Sequence, residues 1–238
     1  MLDDYFPDWE GREIHESSPS NDFIRRHAAR YTASQLFPNV ARGKYRGKVR
    51  SEDLEALTLP ESSVDIFITQ DVLEHVFHPD RALREIHRVL RPGGVHVFTT
   101  PKHHTLAETV QRASSGADGS IEYLLERQYH GNPIGDNRAL VTFDFGVDFE
   151  ERLRSWLGEA ALVATIATVD LGRGIDAEHN EVFVVRKPED RSSAQTSATV
   201  LPRRTAAAAG NWARNTARRS PFLRRVYHGV RSRLRPNA

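Results

Sequence analysis

The chain has 238 residues, of which 39% are hydrophobic and 27% charged, and its formal net charge is +1. It contains no cysteine, which excludes disulfides, thiolate metal sites and cysteine nucleophiles. No apolar run approaches the roughly 18 residues of a membrane-spanning helix. The acidic beginning, MLDDYFPDWE, lacks the layout of a secretory signal, so we expect a cytoplasmic protein.

The small net charge conceals two parts of opposite sign. Residues 191–238 contain eleven arginines, no lysine and no acidic residue. The other 22 of the 33 basic residues and all 32 acidic residues precede them, so residues 1–190 have a net charge of −10. We predict a folded domain over residues 1–187, a flexible linker over 188–210 and a basic tail over 211–238. Apolar residues at helical spacing favour an amphipathic helix in the tail.

The first predicted elements are short. Residues 13–16 suit a strand, and the hydroxyl, amide and carboxyl groups of Ser17 to Asp22 are typical of a helix start. We predict a helix over residues 23–31, a second strand over 34–40 and a third over 48–50.

The clearest pattern lies between Glu52 and Pro101. Residues 64–69, Val-Asp-Ile-Phe-Ile-Thr, suit a buried strand, and residues 79–90 have apolar side chains at helical spacing. Pro92-Gly93-Gly94 ends that helix before a strand over 95–100. Strand, helix and strand within about forty residues form a βαβ unit, which implies a parallel sheet.

The pattern is weaker beyond Pro101. The predicted elements there are a helix near 106–112, a helical turn over 121–128, a loop over 129–133, an apolar edge segment over 140–145, a helix over 149–158, and strands over 162–171 and 181–186. The last two strands would close the sheet as an antiparallel pair.

Four phrases follow one another in the clearest stretch: EDLEAL at 52–57, VDIFI at 64–68, DVLEHV at 71–76 and LRPGG at 90–94. Together they resemble the class I S-adenosylmethionine-dependent methyltransferases, in the type 11 small-molecule group. The resemblance implies an α/β fold, with a Rossmann-like, mostly parallel sheet, helices on both faces and an antiparallel final strand pair. It also implies S-adenosyl-L-methionine as the cofactor.

The resemblance assigns cofactor contacts to residues that follow two strands. Asp53 matches an acid that commonly contacts the adenine amino group, which a carboxylate accepts well, and Leu54 would offer its backbone amide to the ring. Gln70 and Asp71 would face the methyl group or the acceptor, because open α/β sheets bind ligands at the carboxyl ends of their strands. Capping of local turns remains open for Asp53, Gln70 and Asp71.

Two features depart from the family pattern. After the first strand the family has an acid followed by glycines, whereas here Glu16 matches the acid and Ser18 and Ser20 occupy the glycine positions. Serine is small, and its hydroxyl would donate to the carboxylate of the cofactor. The second strand lacks the acid that normally holds the ribose hydroxyls, and the sequence offers only Asn39 there.

Among the histidines, His130 is the best candidate for a base that removes a proton from the methyl acceptor. It follows the fifth strand, where the family has substrate-binding insertions, and histidine titrates near neutrality. A structural turn histidine is the alternative, and His103 and His104 are weaker candidates. The spacing of these three residues and His179 does not support a metal cluster, so we predict no metal site.

The sequence thus predicts a methyltransferase that acts on a small molecule or glycan, with His130 and Asp71 as catalytic residues. A non-catalytic relative that serves as a binding or scaffold module is the alternative. The basic tail fits an anionic membrane surface, which would place the protein peripherally at the inner face of the membrane. Nucleic-acid binding through the tail is a third, weaker interpretation, because the folded part is acidic.

Overall fold

The computed structural model describes residues 1–132, 138–158, 161–167 and 179–189. The helices are α1 (Leu2–Tyr5), α2 (Phe23–His27), α3 (Pro79–Val89) and α4 (Phe149–Leu157). The main strands are β1 (Glu13–Ser17), β2 (Arg30–Gln35), β3 (Tyr45–Arg46), β4 (Val49–Ser51), β5 (Val64–Gln70), β6 (Leu90–Thr99), β13 (Leu162–Ile166) and β14 (Val182–Arg186). Between β6 and α4 lie β7 (Val110–Gln111), β8 (Ala113–Ser115), β9 (Ile121–Tyr123), β10 (Tyr129–Gly131), β11 (Arg138–Leu140) and β12 (Phe143–Asp144).

The main strands form one sheet in the order β13-β14-β6-β5-β1-β2-β4-β3. The five central strands, from β6 to β4, are parallel, whereas β14, β13 and β3 are antiparallel to their neighbours. The predicted α/β class, with a mostly parallel Rossmann-like sheet and an antiparallel final pair, is confirmed. The chain reverses its direction of travel across the sheet between β1 and β5, and such a switch point opens a crevice at the carboxyl ends of the strands.

The main core lies between one face of the sheet and helices α3 and α4. Its centre is aromatic, because the ring of Phe98 is 5.3 Å from that of Phe183 and 6.3 Å from that of Phe149. The apolar side of α3 covers the same cluster with Ala82, Leu83, Ile86 and Val89. The apolar residues that predicted this helix are therefore the ones that it buries against the sheet.

Pro92-Gly93-Gly94 lies inside β6 rather than between it and the helix, since α3 ends at Val89 and the strand begins at Leu90; the strand predicted over 95–100 is observed over 90–99. Gly93 has a φ of +77°, which favours glycine. A Cβ atom on Gly94 would lie 3.0 Å from the carbonyl oxygen of Asp65 and 2.9 Å from that of Arg91. Glycine at this position therefore allows β5 and β6 to approach each other.

Two boundaries in the first part of the chain were predicted wrongly. The helix predicted over 23–31 ends at His27, and the strand predicted over 34–40 is β2, which covers 30–35. Tyr31 and Thr32 favour an extended backbone, and pairing with β1 holds them in it. The third predicted strand is present as β4, and β3 extends it into a hairpin.

The region after β6 contains strands where helices were predicted. Residues 110–111 and 121–123 belong to β7 and β9, so the predictions near 106–112 and 121–128 were wrong. Long-range contacts hold this region extended: the Arg112 amide donates to the Thr142 carbonyl oxygen at 2.7 Å, and its guanidinium donates to Asp144 at 2.5 Å. The predicted loop over 129–133 contains β10, and residue 133 lies outside the described residues.

The end of the domain agrees with the prediction where it is described. Helix α4 covers 149–157, and β13 and β14 are antiparallel. Strand β13 ends at Ile166, and residues 168–171 of the longer predicted strand lie outside the described residues. So do the linker from residue 190 onward and the whole basic tail, whose helix and membrane contact stay predictions from the sequence.

Two histidines are buried within the sheet. His15 and His96 are 0% and 1% exposed, and burial lowers the pKa of His15 to about 4 and that of His96 to about 3. His15 hydrogen-bonds the hydroxyls of Thr32 and Ser34 at 2.8 Å, and His96 bonds that of Thr69 at 3.0 Å. Both rings are therefore neutral in the folded protein at neutral pH.

We expect the free energy of unfolding to fall by roughly 2 kcal/mol for each of these histidines between pH 7 and pH 5. The unfolded chain, whose histidines have an ordinary pKa of 6.5, binds protons over this range that the folded chain does not. The stabilisation is present above that pKa and is lost as the pH falls below it. Urea unfolding at the two pH values measures the loss. His96→Gln should halve the combined loss from the two histidines. An unchanged loss in this variant would contradict the conclusion that His96 is buried in its neutral form.

Candidate functional site

The candidate site lies where the central parallel strands end. The ends of β1 and β5 and the beginning of β2 bring Glu16, Gln70 and Tyr31 into one hydrogen-bonded group. The Tyr31 hydroxyl donates to Glu16 at 2.8 Å, and the Gln70 amide donates to the same carboxylate at 3.2 Å. The Ser20 hydroxyl donates to the Gln70 side-chain oxygen at 2.8 Å. Three of the predicted cofactor residues, Glu16, Ser20 and Gln70, are thus brought together at the switch point.

Glu16 is the buried member of this group, with 1% of its surface exposed. Burial raises its pKa, and the hydrogen bond from Tyr31 opposes the rise. Burial and the Glu16 carboxylate together raise the pKa of Tyr31, so its phenol remains a donor. Sequence reasoning missed Tyr31, because it assigned this residue to the end of a helix.

Ser18 occupies a glycine position of the family pattern and adopts the matching backbone conformation. Its φ is +55°, in the left-handed region, and its amide donates to the Ser34 carbonyl oxygen at 2.8 Å. The loop after β1 therefore keeps a glycine-type conformation although it contains serine.

We expect Ser18→Gly to leave the fold intact and to raise the free energy of unfolding slightly, by at most about 1 kcal/mol. Glycine removes the left-handed cost of about 1–2 kcal/mol, and its greater freedom in the unfolded chain offsets part of this gain. Ser18→Val should be clearly less stable, since a β-branched residue fits a positive φ poorly. Equal stability of the two variants in urea unfolding would contradict this account of the loop.

The acids after β4 have different roles. Asp53 accepts a hydrogen bond from the Glu55 amide at 2.9 Å and so caps a short 3-10 turn. The neighbouring Leu54 is 6% exposed, with its side chain in the core. Glu52, which the sequence analysis did not select, is 2% exposed and accepts from Arg50 at 2.5 Å and from the Thr58 amide at 2.8 Å. Both carboxylates therefore hold the loop after β4 in shape.

The residue at the end of β2 differs from the one predicted. Because the strand ends at Gln35, that side chain and Leu36 lie at the carboxyl edge, and Asn39 lies several residues beyond it. Leu36 is 58% exposed. An exposed leucine here offers an apolar surface at the ligand-binding edge.

Asp71 follows β5 with a φ of +50°. The Thr99 hydroxyl donates to its carboxylate at 2.9 Å, and its amide lies 3.1 Å from the Thr99 carbonyl oxygen. The residue is exposed to solvent, yet neighbouring atoms remove water from the carboxyl group and raise its pKa. The charge of Glu74 raises it further, and His130 and His75 lower it.

Glu74, His75 and His130 form a second group beside Asp71. One oxygen of Glu74, Oε1, is 3.7 Å from His75 Nε2 and 3.7 Å from His130 Nδ1. The attraction of the Glu74 carboxylate raises the pKa of His130. These distances exceed hydrogen-bonding range. Sequence reasoning selected His130 but did not connect it with Glu74, which is 56 residues away.

The segment after β11 holds this group together. The Thr142 amide and hydroxyl both donate to the Glu74 carbonyl oxygen, at 2.7 and 2.9 Å. His75 Nδ1 donates to the Leu140 carbonyl oxygen at 2.8 Å. Antiparallel pairing of β10 with β11 then brings His130 beside the turn that carries Glu74.

The other histidines lie apart from this group. His104 Nε2 is 2.6 Å from Glu181, and His103 Nε2 is 3.8 Å from Asp144. His179 Nδ1 donates to the Lys102 carbonyl oxygen. Within the described ranges, Glu74, His75 and His130 are the one set of three side chains whose potential ligand atoms all lie within 4.8 Å of one another.

Two clefts open beside the sheet. A small one of about 190 Å³ lies at the amino ends of β5 and β6, bordered by Asp65 and Gly94, and is remote from the residues above. A wider one of about 840 Å³ runs past Ser20, Tyr31 and Arg50. Its volume is within the range of small-molecule sites, about 300–1,000 Å³. No helix among the described residues is long and apolar enough to cross a membrane.

Comparison with known proteins relates part of the chain to a family. Residues 17–98 match the model of a family described as a methyltransferase domain. A probable S-adenosylmethionine-dependent methyltransferase of Mycolicibacterium smegmatis is 39% identical over 67 residues, which are 28% of this chain and 26% of that protein. A malonyl-[acyl-carrier protein] O-methyltransferase of Laribacter hongkongensis is 40% identical over 135 residues, 52% of this chain and 43% of that protein. The chain thus spans less than half the length of either relative.

Solved structures show the same fold. An S-adenosylmethionine-dependent methyltransferase from Mesorhizobium loti matches with a TM-score of 0.50 and 18% identity, over 78% of this chain and 95% of that chain. The sugar N-methyltransferase KedS8 from Streptoalloteichus matches with a TM-score of 0.50 and 15% identity, over 79% and 84%. Residues 17–98 therefore resemble the S-adenosylmethionine-dependent methyltransferases of the type 11 group, and the described part of the chain has the class I methyltransferase fold.

Proposed function

We propose that this protein transfers the methyl group of S-adenosylmethionine to a hydroxyl or amine of a small molecule or glycan. The observation that carries the proposal is the meeting of Glu16, Ser20 and Gln70 at the switch point of the sheet. They lie beside a loop whose Ser18 has the conformation of a family glycine.

The residues at the carboxyl edge fit the polar groups of the cofactor. Its ammonium needs acceptors, which Glu16 and the side-chain oxygen of Gln70 would supply. Its carboxylate needs donors, which the Ser18 hydroxyl would supply, together with the Ser20 hydroxyl once this turns away from Gln70. The free oxygen of the Asp53 carboxylate would accept from the adenine amino group, and the Leu54 amide would donate to the ring. When bound, the cofactor supplies a methyl group already activated by its sulfonium.

The protein would then have to position the acceptor and remove its proton. We assign proton removal to His130, because the nearby Glu74 carboxylate stabilises the imidazolium that results. Asp71, held by Thr99 at the end of β5, would orient the acceptor as a hydrogen-bond acceptor. A carboxylate acceptor, such as the name of the Laribacter relative implies for that protein, has no proton to remove at neutral pH, so His130 favours a hydroxyl or amine.

The experiment is a screen of acceptors with the full chain and methyl-labelled cofactor. Sugars, nucleotide sugars, phenols and amines form one arm, and malonyl-acyl carrier protein forms another. We expect label to enter a member of the first arm. Label only in the carboxylate of the second arm would reject the proposed acceptor class. Tight cofactor binding with no transfer to either arm would favour the non-catalytic alternative.

A further inference from the structure

One oxygen of Glu74 has no hydrogen-bond partner although it is buried. The Glu74 side chain is 2% exposed, and its Oε1 atom has no partner among the described residues. The other oxygen, Oε2, accepts from the Thr100 hydroxyl at 2.9 Å. An unpaired buried carboxylate oxygen is costly, so natural structures rarely keep one without a proton, a water or a cation beside it.

The atoms that face this oxygen are ring nitrogens of two histidines. His75 Nε2 and His130 Nδ1 each lie 3.7 Å from Glu74 Oε1, and the three atoms lie within 4.8 Å of one another. Neighbouring ligands of a tetrahedral zinc ion with bonds of about 2.1 Å are about 3.4 Å apart. Shifts of some tenths of an ångström would therefore bring all three atoms to bonding distance of one ion.

The hydrogen bonds that His75 and Glu74 make with other residues leave His75 Nε2 and Glu74 Oε1 available as ligands. A carbonyl oxygen only accepts, so the bond from His75 Nδ1 to the Leu140 carbonyl fixes the hydrogen on Nδ1 and leaves the lone pair on Nε2. The Thr100 hydroxyl likewise orients the Glu74 carboxylate. Ligand side chains in protein metal sites are typically held by such outer hydrogen bonds.

We propose that Glu74, His75 and His130 bind a divalent transition-metal cation, with Zn²⁺ as the ion that the ligand set fits. Two imidazoles and one carboxylate leave a fourth position open, as in zinc sites that bind a water or substrate. Side chains of His75 and His130 are 17% and 34% exposed, so an ion has access from solvent. Binding of the ion does not depend on the proposed function.

Only the role of the ion rests on the proposed function. The ion would lie beside Asp71, at the edge where the acceptor is expected, and its open position would hold the acceptor oxygen. A cation there would lower the pKa of a bound hydroxyl, and its proton would pass to solvent water. In the loaded protein His130 would thus be a ligand of the ion and not the base.

The test uses tag-free full chain, stripped with a chelator and desalted. Zn²⁺ is titrated in competition with a chromophoric chelator, and Co²⁺ reports the coordination geometry through its visible absorption. We expect one equivalent of Zn²⁺ per chain, a rise in the thermal midpoint on binding, and about 100-fold weaker binding in His130→Ala and Glu74→Gln. His104→Ala is the matched control, because His104 is 54% exposed and lies outside the group.

Circular dichroism shows whether each variant is folded, and His130→Ala suffices if Glu74→Gln is not. Zinc binding of His130→Ala equal to that of His104→Ala would overturn the proposal, as would less than one equivalent in the wild type. Calorimetry of the metal-stripped chain with S-adenosylhomocysteine tests the proposed methyltransferase function separately from the proposed metal site. If that ligand binds and zinc does not, the metal site is rejected and the proposed function stands.

Discussion

Phe149→Ala should lower the free energy of unfolding by about 3–5 kcal/mol, a large part of the stability of a domain of this size. Phe149 is fully buried and begins helix α4. Its ring is 4.3 Å from that of Phe145 and 5.1 Å from that of Phe183, on β14. Truncation therefore leaves a cavity where the helix meets the sheet.

Urea unfolding monitored by circular dichroism measures this loss. Val147→Ala, at a residue that is 47% exposed, is the control and should change stability by less than about 0.5 kcal/mol. Phe149→Leu should lose less than the alanine variant, because more of the cavity stays filled. If Phe149→Ala and Val147→Ala unfold at the same urea concentration, the described core is wrong.

In the metal-free protein, His130→Ala should reduce kcat by about 10²–10⁴-fold with the acceptor that the screen identifies, because the variant lacks the proton acceptor. His27→Ala is the control, since His27 is exposed and its ring hydrogen-bonds the Phe23 carbonyl oxygen within its own helix. The His130 variant should bind S-adenosylhomocysteine as the wild type does. A decrease in kcat of less than about tenfold would remove His130 from the chemistry.

The pH profile of the metal-free wild type gives an independent check. A base must be unprotonated, so kcat/KM should rise with pH and level off above the pKa of His130. The Glu74 carboxylate raises that pKa above 6.5, so the rise should extend above pH 6.5. The residual activity of His130→Ala should not show this rise of kcat/KM with pH.

Local patterns sufficed to predict the central βαβ unit. The strand predicted over 64–69 is observed over 64–70, and the helix predicted over 79–90 over 79–89, because each buries the residues that define its period. Strands were also predicted at the positions of β1, β4, β13 and β14. The extent of β2 was not predicted, because its residues are held extended by pairing with β1 rather than by their own pattern.

The loop after β1 and the group around Glu74 also differ in how far local sequence predicts them. Glu16, Ser18 and Ser20 were recognised from a motif, since they lie within five residues of one another at the end of one strand. The contact of His130 with Glu74 was not predictable, because it depends on the antiparallel pair β10 and β11. A hydrogen bond from Thr142, just after β11, to the Glu74 carbonyl oxygen holds this pair in place. No periodicity indicates such a contact between distant parts of the chain.

The most direct test of the central claim is calorimetric titration of the full chain with S-adenosylhomocysteine. We expect one molecule bound per chain with a dissociation constant well below about 1 mM, and Asp53→Ala should weaken binding by roughly 1–3 kcal/mol. The exposed Asp118→Ala should bind as the wild type does. No detectable binding at millimolar ligand would contradict the assignment of this site to the cofactor.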